Sequence, residues 1–463
     1  MTINIELFPN RDFYNLLKKI ILQKNINSIS DLDDELKKYK TIVEYKNYYL
    51  EIEKLHEIDN LSVVKSQPIL FNMLDLDNDL NKIIHQFDMC IIDNDTLLPL
   101  IYIDKDVEYN NDVNHFCHYL SKPLDNMEFL DNKDIIQIYK NYIGEYVTLF
   151  YHKDNWYVTN KRNVYSINGK ETFPTLFKNM ITDKMTNWNT ELDKDYSYHF
   201  TFIHYRLDSC ISSHTWNKEF KDLIYLKKEK KLTLLTLENS LHTNNFTQKQ
   251  KIYISCKDEL LTQLEIINSD MISMGKLQYR GLVLHYNDNY NRFNINFDIE
   301  LYHRINSKLT NFDNINQAYL SMYKNDECNS LLPYITNNSI DIIRRVNTSI
   351  KTVSKEILDI YFLTRNQNNV ELYGKLSTIY KNTLYNMHNI YISKRFNETD
   401  GKTAVTIDNI YAYLKKSITS KDLISIYRDR KDLIDELNKI EKYKTVLNTK
   451  CINTLMQTAL MFD

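Results

Sequence analysis

A chain of 463 residues, 43% hydrophobic and 26% charged, is long enough for several domains around sizeable cores. Its 58 basic and 61 acidic side chains leave a net charge of −3, which excludes a uniformly basic nucleic-acid coat but not a local basic groove. Six scattered cysteines without a CxxC pair read as reduced thiols in a cytoplasmic setting. No run approaches the about 18 apolar residues of a membrane span, and the amino-terminal segment shows no secretory pattern.

Residues 11–60 read as helical. Phe13, Leu16, Leu17, Ile20 and Ile21 recur at helical spacing, and Leu32, Leu36, Tyr39 and Val43 continue on one face, with Ser30 as the expected N-cap. This predicts a helical N-terminal segment over 1–63. From 64 to 308 short β-rich runs follow, among them Cys90–Ile92, Leu98–Ile103, Phe200–His204, Leu232–Leu237, Ile252–Ser255, Leu282–Tyr286 and Phe293–Phe297. Tyr146–Tyr151 and Trp156–Thr159, separated by turn residues, are the strongest hairpin signal. Residues 309–463 return to helical period. Ile343, Val346, Ile350, Val353, Ile357 and Ile360 form a stripe of about three heptads, a bundle core more economically than a coiled coil. Pro333 is the expected stop before it, Thr406 and Ser420 are expected caps, and Asn397–Lys402 a loop.

Glycine is scarce: six residues where ordinary usage gives about thirty. Gly144 ends Asn141-Tyr-Ile-Gly144, and Gly281 follows Tyr279-Arg280. Downstream, Asn294 and Asn296 stand two apart, and Tyr196–Tyr205 lies between the two glycine segments. In order and spacing these segments, over residues 64–305, resemble the strand motifs of the covalent nucleotidyltransferases: RNA ligases, DNA ligases and capping enzymes. The RNA-ligase-like proteins of large DNA viruses are the branch most resembled. The resemblance implies an α+β fold: an antiparallel-sheet nucleotidyltransferase domain (ATP-grasp-like RNA/DNA ligase), a helical prefix, and an all-α C-terminal domain that sets the partner.

In enzymes of this group a lysine three residues before a glycine attacks the α-phosphate and becomes a lysyl-nucleotide. The matching position is Asn141, whose carboxamide cannot form that bond. Lys140, one residue away, points to the opposite face of a strand. The acid that holds the nucleoside sugar is replaced by His204, which reads equally as a strand-edge histidine. The metal-binding glutamate is replaced by Arg280, beside Gly281. Arg280 reads either as a phosphate ligand or as a surface arginine. The paired lysines become Asn294 and Asn296, which share one strand face without charge. Lys161 and Arg162 align with a basic pair of the resembled proteins. They are the phosphate- or RNA-binding candidates, against a solvated basic turn.

No catalytic residue and no metal site are expected. His115, Cys117 and His118 offer ligands without a second half. Lys227–Lys231 reads as a solvated turn, and Tyr142, Tyr146, Tyr151, Tyr290 and Tyr302 as core packing before base stacking. The expectation is a catalytically degenerate, pseudoenzyme-type RNA-ligase-like viral protein without a cofactor. It would bind RNA, nucleotide or a protein partner through the inherited groove, in the host cytoplasm or virion, with no membrane. Two alternatives stand beside it: an active RNA ligase using ATP and Mg²⁺ through a displaced lysine, and a viral scaffold protein.

Overall fold

The computed structural model describes residues 11–37, 40–43, 46–55, 58, 60–66, 87–108, 129, 135–207, 221–231, 236–237, 245–287, 292–312, 315–336, 338–365, 369–397 and 404–438. His115, Cys117, His118, Tyr290, Leu232 and most of the 397–402 loop lie outside these residues. The chain divides into two compact units, Met1–His303 and Arg304–Asp463, and is a mixed α+β protein.

The first unit begins with α1 (Arg11–Lys24) and α2 (Ile29–Leu36). Ser28, not Ser30, caps α2: its Oγ accepts from the Asp31 N–H at 3.2 Å. The helical reading of 40–60 is corrected to strand, β1 (Lys40–Val43) and β2 (Lys46–Lys54), followed by β3 (Leu61–Ser66). Leu50-Glu51-Ile52-Glu53 alternates with the strand period, which outweighs the helical spacing of Val43. The two helices share an apolar core with Ile52, Val64, Phe87 and Tyr102 through Phe13, Leu17, Leu32 and Leu36.

Next come β4 (Phe87–Asp93), β5 (Pro99–Glu108), β6 (Ile136–Tyr142), β7 (Glu145–His152), β8 (Asn155–Thr159) and β9 (Val164–Ser166). Helices α3 (Thr172–Lys184) and α4 (Trp188–Glu191) precede β10 (Tyr196–Ile203), β11 (Asp222–Lys230), β12 (Thr236–Leu237), β13 (Thr247–Gln248) and β14 (Lys251–Ile252). The unit closes with α5 (Lys257–Met274), β15 (Tyr279–Asn287), β16 (Arg292–Asp298) and the start of α6 (Glu300–Thr310). The β7–β8 hairpin turns on Lys153 and Asp154, both at positive φ (42° and 67°), as a two-residue turn of the right hand requires.

The strands form two sheets. One runs β1-β2-β3-β4-β5-β16-β15-β6-β14; the other runs β12-β11-β10-β7-β8-β9, with β13 also beside β11. The expectation of purely antiparallel sheets is corrected, because β5 pairs parallel to β16 and β13 parallel to β11. Partners so distant in sequence leave no turn signal to read. Lys227–Lys231 is also not a solvated turn. Its first four residues form the end of β11, where Lys227 and Glu229 are buried.

The second unit is helical: α7 (Ile315–Lys324), α8 (Cys328–Ile335), α9 (Ser339–Arg365), α10 (Val370–Lys375), α11 (Thr378–Asn397), α12 (Ile407–Ala412) and α13 (Ser420–Asn438). Val346, Ile350, Val353, Ile357 and Ile360 are buried along α9. Thr406 forms a capping box with Asn409. At α13 the hydroxyl that accepts from Asp422 N–H, at 3.0 Å, belongs to Thr419 rather than Ser420. Pro333 sits inside α8 and does not stop it, since the burial of Leu331, Leu332 and Ile335 holds that short helix together. Arg430 of α13 forks onto Glu356 of α9 at 2.6 and 2.7 Å, a buried ion pair. Among the described residues no helix is long and apolar enough to cross a membrane.

Candidate functional site

Strands β6, β15 and β16 are apolar on one face and polar on the other. Ile138, Leu282, Leu284, Ile295 and Phe297 are buried on the first, where α5 packs against β15. The alternate residues Asn141, His285, Asn294 and Asn296 line a cleft of about 380 Å³ on the second. The period of two thus separates a core face from a site face within one set of strands.

The sequence candidates largely converge there: Asn141, Gly144, Arg280, Asn294, Asn296, Lys161 and Arg162 all line the cleft. Gly281 and His204 do not. Gly281 is the backbone position between Asn141 and β16, and the Asn141 Nδ2 donates across it to Asn296 Oδ1 at 2.9 Å. His204 accepts from the Arg206 N–H through Nδ1 at 3.1 Å and stacks on Tyr205. Gly144 marks a close approach, since a Cβ there would lie 2.6 Å from Thr201 Cγ2 of β10.

The polar groups of this face are closed on one another. Asn294 donates to Asp106 Oδ1 at 2.7 Å and its Oδ1 faces His285 Nδ1 at 2.5 Å. A bulge in β15 between Tyr279 and Gly281 turns Arg280 to the cleft side. There its guanidinium forks onto Asp298, with Nη2 at 3.1 Å from Oδ2. Lys161 bridges Asp106 and Asp88, the latter at 3.1 Å. Burial works against the Lys161 ammonium, but Asp106 and Asp88 outweigh it and hold its pKa above the ordinary lysine value. Burial likewise opposes the Asp106 carboxylate, and Lys161 with the Asn294 amide outweighs it, keeping that pKa below the ordinary value. Burial first, then the charges of Lys249 and Lys227, push His285 down to about 3, so it is neutral at ordinary pH. Among the described residues the Arg162 guanidinium has no ion-pair partner.

Lys140 lies on the other face from Asn141, as strand alternation predicts, with its ammonium 4.8 Å from the Tyr279 ring centre. Three cleft cations also sit over tyrosines: Lys161 over Tyr146, Lys249 over Tyr139 and Arg280 over Tyr302. These contacts fix the cations and occupy ring faces that a base would need. Asp106, His285 and Lys249 are among the cleft residues that escaped sequence reasoning. Asp106 and His285 carried a signal in the alternation of β5 and β15. Lys249 carried none, because the strands flanking it are two residues long.

A divalent cation does not fit this face. Its carboxylates Asp106 and Asp298 are each committed to a cation, Glu145 of the cleft accepts from Asn160 Nδ2 at 2.7 Å, and among the described residues no three His, Cys, Asp or Glu side chains gather as a ligand set.

No family model and no curated protein matches the chain. Solved structures similar to it are ATP-dependent RNA and DNA ligases. An archaeal ATP-dependent RNA ligase is 7% identical with a TM-score of 0.35, covering 72% of this chain and 78% of that one. A protein assigned as an ATP-dependent DNA ligase from Aquifex aeolicus is 11% identical with a TM-score of 0.31, covering 83% and 80%. A point variant of an RNA ligase from Naegleria gruberi is 12% identical with a TM-score of 0.32, covering 61% and 84%. At these values the likeness carries nothing about chemistry, which rests on the side chains described above.

Proposed function

We propose that residues 64–308 are a catalytically degenerate, RNA-ligase-like nucleotidyltransferase domain that binds a nucleotide through its phosphates without covalent transfer, and that the helical residues 309–463 set its partner. One observation carries this reading. Asn141, Arg280, Asn294 and Asn296, the positions where transfer would need an amine, a metal carboxylate and two further cations, meet on one sheet face with their polar groups already closed. The cleft's 380 Å³ suits a mononucleotide, small-molecule pockets being about 300–1,000 Å³. On the cleft side Lys161, Arg162, Lys249 and Arg280 are cationic, and Asp106 and Glu145 carboxylic, which favours an anionic ligand. Among the described residues Arg162 has no ion-pair partner, whereas Lys161 acts first as the counterion of Asp88 and Asp106. The resemblance also supports a large DNA virus as source and the cytoplasm as place of action.

The test is incubation with α-labelled ATP or GTP and Mg²⁺, followed by denaturation. The expected result is no retained label, because no amine stands at 141 and no metal carboxylate at 280. A displaced nucleophile is the second reading, favoured by a lysine, Lys249, in the same cleft. It predicts a labelled band that disappears in one lysine variant, and such a band overturns the degenerate reading.

A further inference from the structure

We propose that the protein self-associates head to tail, the solvent face of α5 in one copy lying on the solvent face of α9 in the next. Both helices already use their inner faces. Leu260, Leu264, Ile267 and Met271 of α5 are buried, as are Val346, Ile350, Val353, Ile357 and Ile360 of α9. The outer side of α5 is apolar as well, and a helix apolar on both sides is one that something covers. On one outer row Asp258, Leu261, Glu265 and Ile272 recur three, four and seven apart, with Leu261 38% and Ile272 53% exposed. On α9 the outer row is Arg344, Lys351, Lys355, Leu358 and Phe362, spaced seven, four, three and four apart, with Phe362 37% exposed.

The two rows match in apolar content and oppose in charge. Asp258 and Glu265 flank Leu261 on one, and Lys351 and Lys355 adjoin Leu358 and Phe362 on the other. Among the described residues Asp258, Glu265 and Lys351 have no ion-pair partner. Arg344 is held by Asp341 at 2.8 Å, and Lys355 acts on the half-buried Asp359 carboxylate. The same opposition runs through the whole units. Met1–His303 carries 35 basic and 44 acidic side chains, and Arg304–Asp463 carries 23 and 17. An acidic face on the acidic unit and a basic face on the basic unit favour the meeting of unlike ends of two copies over like ends. Two different surfaces make a heterologous contact, so each pair keeps one α5 and one α9 face open for further copies. One helix on one helix is a small interface, so the association is weak and concentration-dependent.

Sedimentation velocity of the full-length protein over a concentration series, at low and high salt, tests the contact. The wild type is expected to gain mass with concentration at low salt and to lose that gain at high salt. K351E/K355E makes both faces acidic and D258K/E265K makes both basic, so each alone is expected to self-associate about tenfold more weakly or worse. Mixed in equal amounts, the two variants offer complementary faces at both contacts, and association is expected to return. Thermal unfolding is the check on folding. All four positions are exposed, and K351Q/K355Q, expected to weaken association by less, stands in if a charge reversal melts early. A wild type that stays one size across the series overturns the assignment. So does association that neither salt nor a folded variant reduces, which places the contact on other surfaces. Folded variants that fail to associate when mixed overturn the pairing of α5 with α9.

Discussion

Replacing Lys227 by methionine is expected to cost about 5 kcal/mol of unfolding free energy, because it leaves two buried carboxylates without their cation. The Lys227 ammonium lies 2.8 Å from Asp104 of β5 and 2.7 Å from Glu229 of β11, so one side chain neutralises acids from both sheets. All three are buried, as is His199, whose Nε2 is 3.4 Å from Glu229 and whose Nδ1 meets Tyr146 and Thr148 at 2.7 and 2.9 Å. Burial opposes the charged Lys227, and Asp104 and Glu229 outweigh it, so its pKa is raised well above 10.5. Burial opposes the Glu229 carboxylate too, and Lys227 and His199 outweigh it, so its pKa falls below 4.5. The raised lysine contributes stability that is complete below 10.5 and lost as pH rises through its folded value. The lowered glutamate contributes stability present above 4.5 and lost as pH falls. In the variant the sign reverses on the acid side, since uncompensated buried carboxylates bind protons more tightly in the folded state. The deficit, read from denaturant midpoints, should be smaller near about pH 5 than near about pH 8. A deficit under about 1 kcal/mol, the range of an exposed pair, or one that grows on acidification contradicts this account.

Gly281→Ala is the second large effect, expected at about 4 kcal/mol from overpacking together with backbone strain. A Cβ at this position would lie 2.0 Å from the Phe297 carbonyl oxygen and 3.0 Å from its carbon, and backbone cannot rotate away as a side chain can. The residue's φ of 157° is a second obstacle to any L side chain. Gly144→Ala is the control. Its nearest contacts are the Thr201 methyl carbon at 2.6 Å and the Phe202 carbonyl oxygen at 3.0 Å, against 2.0 Å to backbone oxygen at Gly281, so its cost should be the smaller of the two. Thermal unfolding of both variants checks the order, and equal losses would remove the claim that β15 and β16 require a glycine here.

The sequence was most legible where one period dominated. Leu282–Tyr286 alternates as a strand, Tyr146–Tyr151 pairs with Trp156–Thr159 across its turn, and the Val346 to Ile360 stripe lies buried on one helix. Asn141, Arg280, Asn294 and Asn296 became candidates through the resemblance of their segments to nucleotidyltransferase strand motifs, and all four line one cleft. Charge misled the reading at β11, where Lys227 looked solvated because the carboxylate that meets it from the other sheet, Asp104, is 123 residues away in sequence. Lys161 looked like a phosphate ligand for the same reason, since Asp88 and Asp106 are 73 and 55 residues away in sequence. The parallel pairing of β5 with β16 and the sheet-switching course of 247–252 are long-range facts, and no local pattern encodes them.

A structure of the full-length protein soaked with ATP tests the central claim most directly. The account predicts the triphosphate in the cleft on the polar face of β6, β15 and β16, against Arg162, with the Asn141–Asn296 and Arg280–Asp298 contacts kept and no bond from any lysine to phosphorus. Continuous density joining a lysine Nζ to an α-phosphate, or a nucleotide bound elsewhere with this cleft left to water, would contradict it.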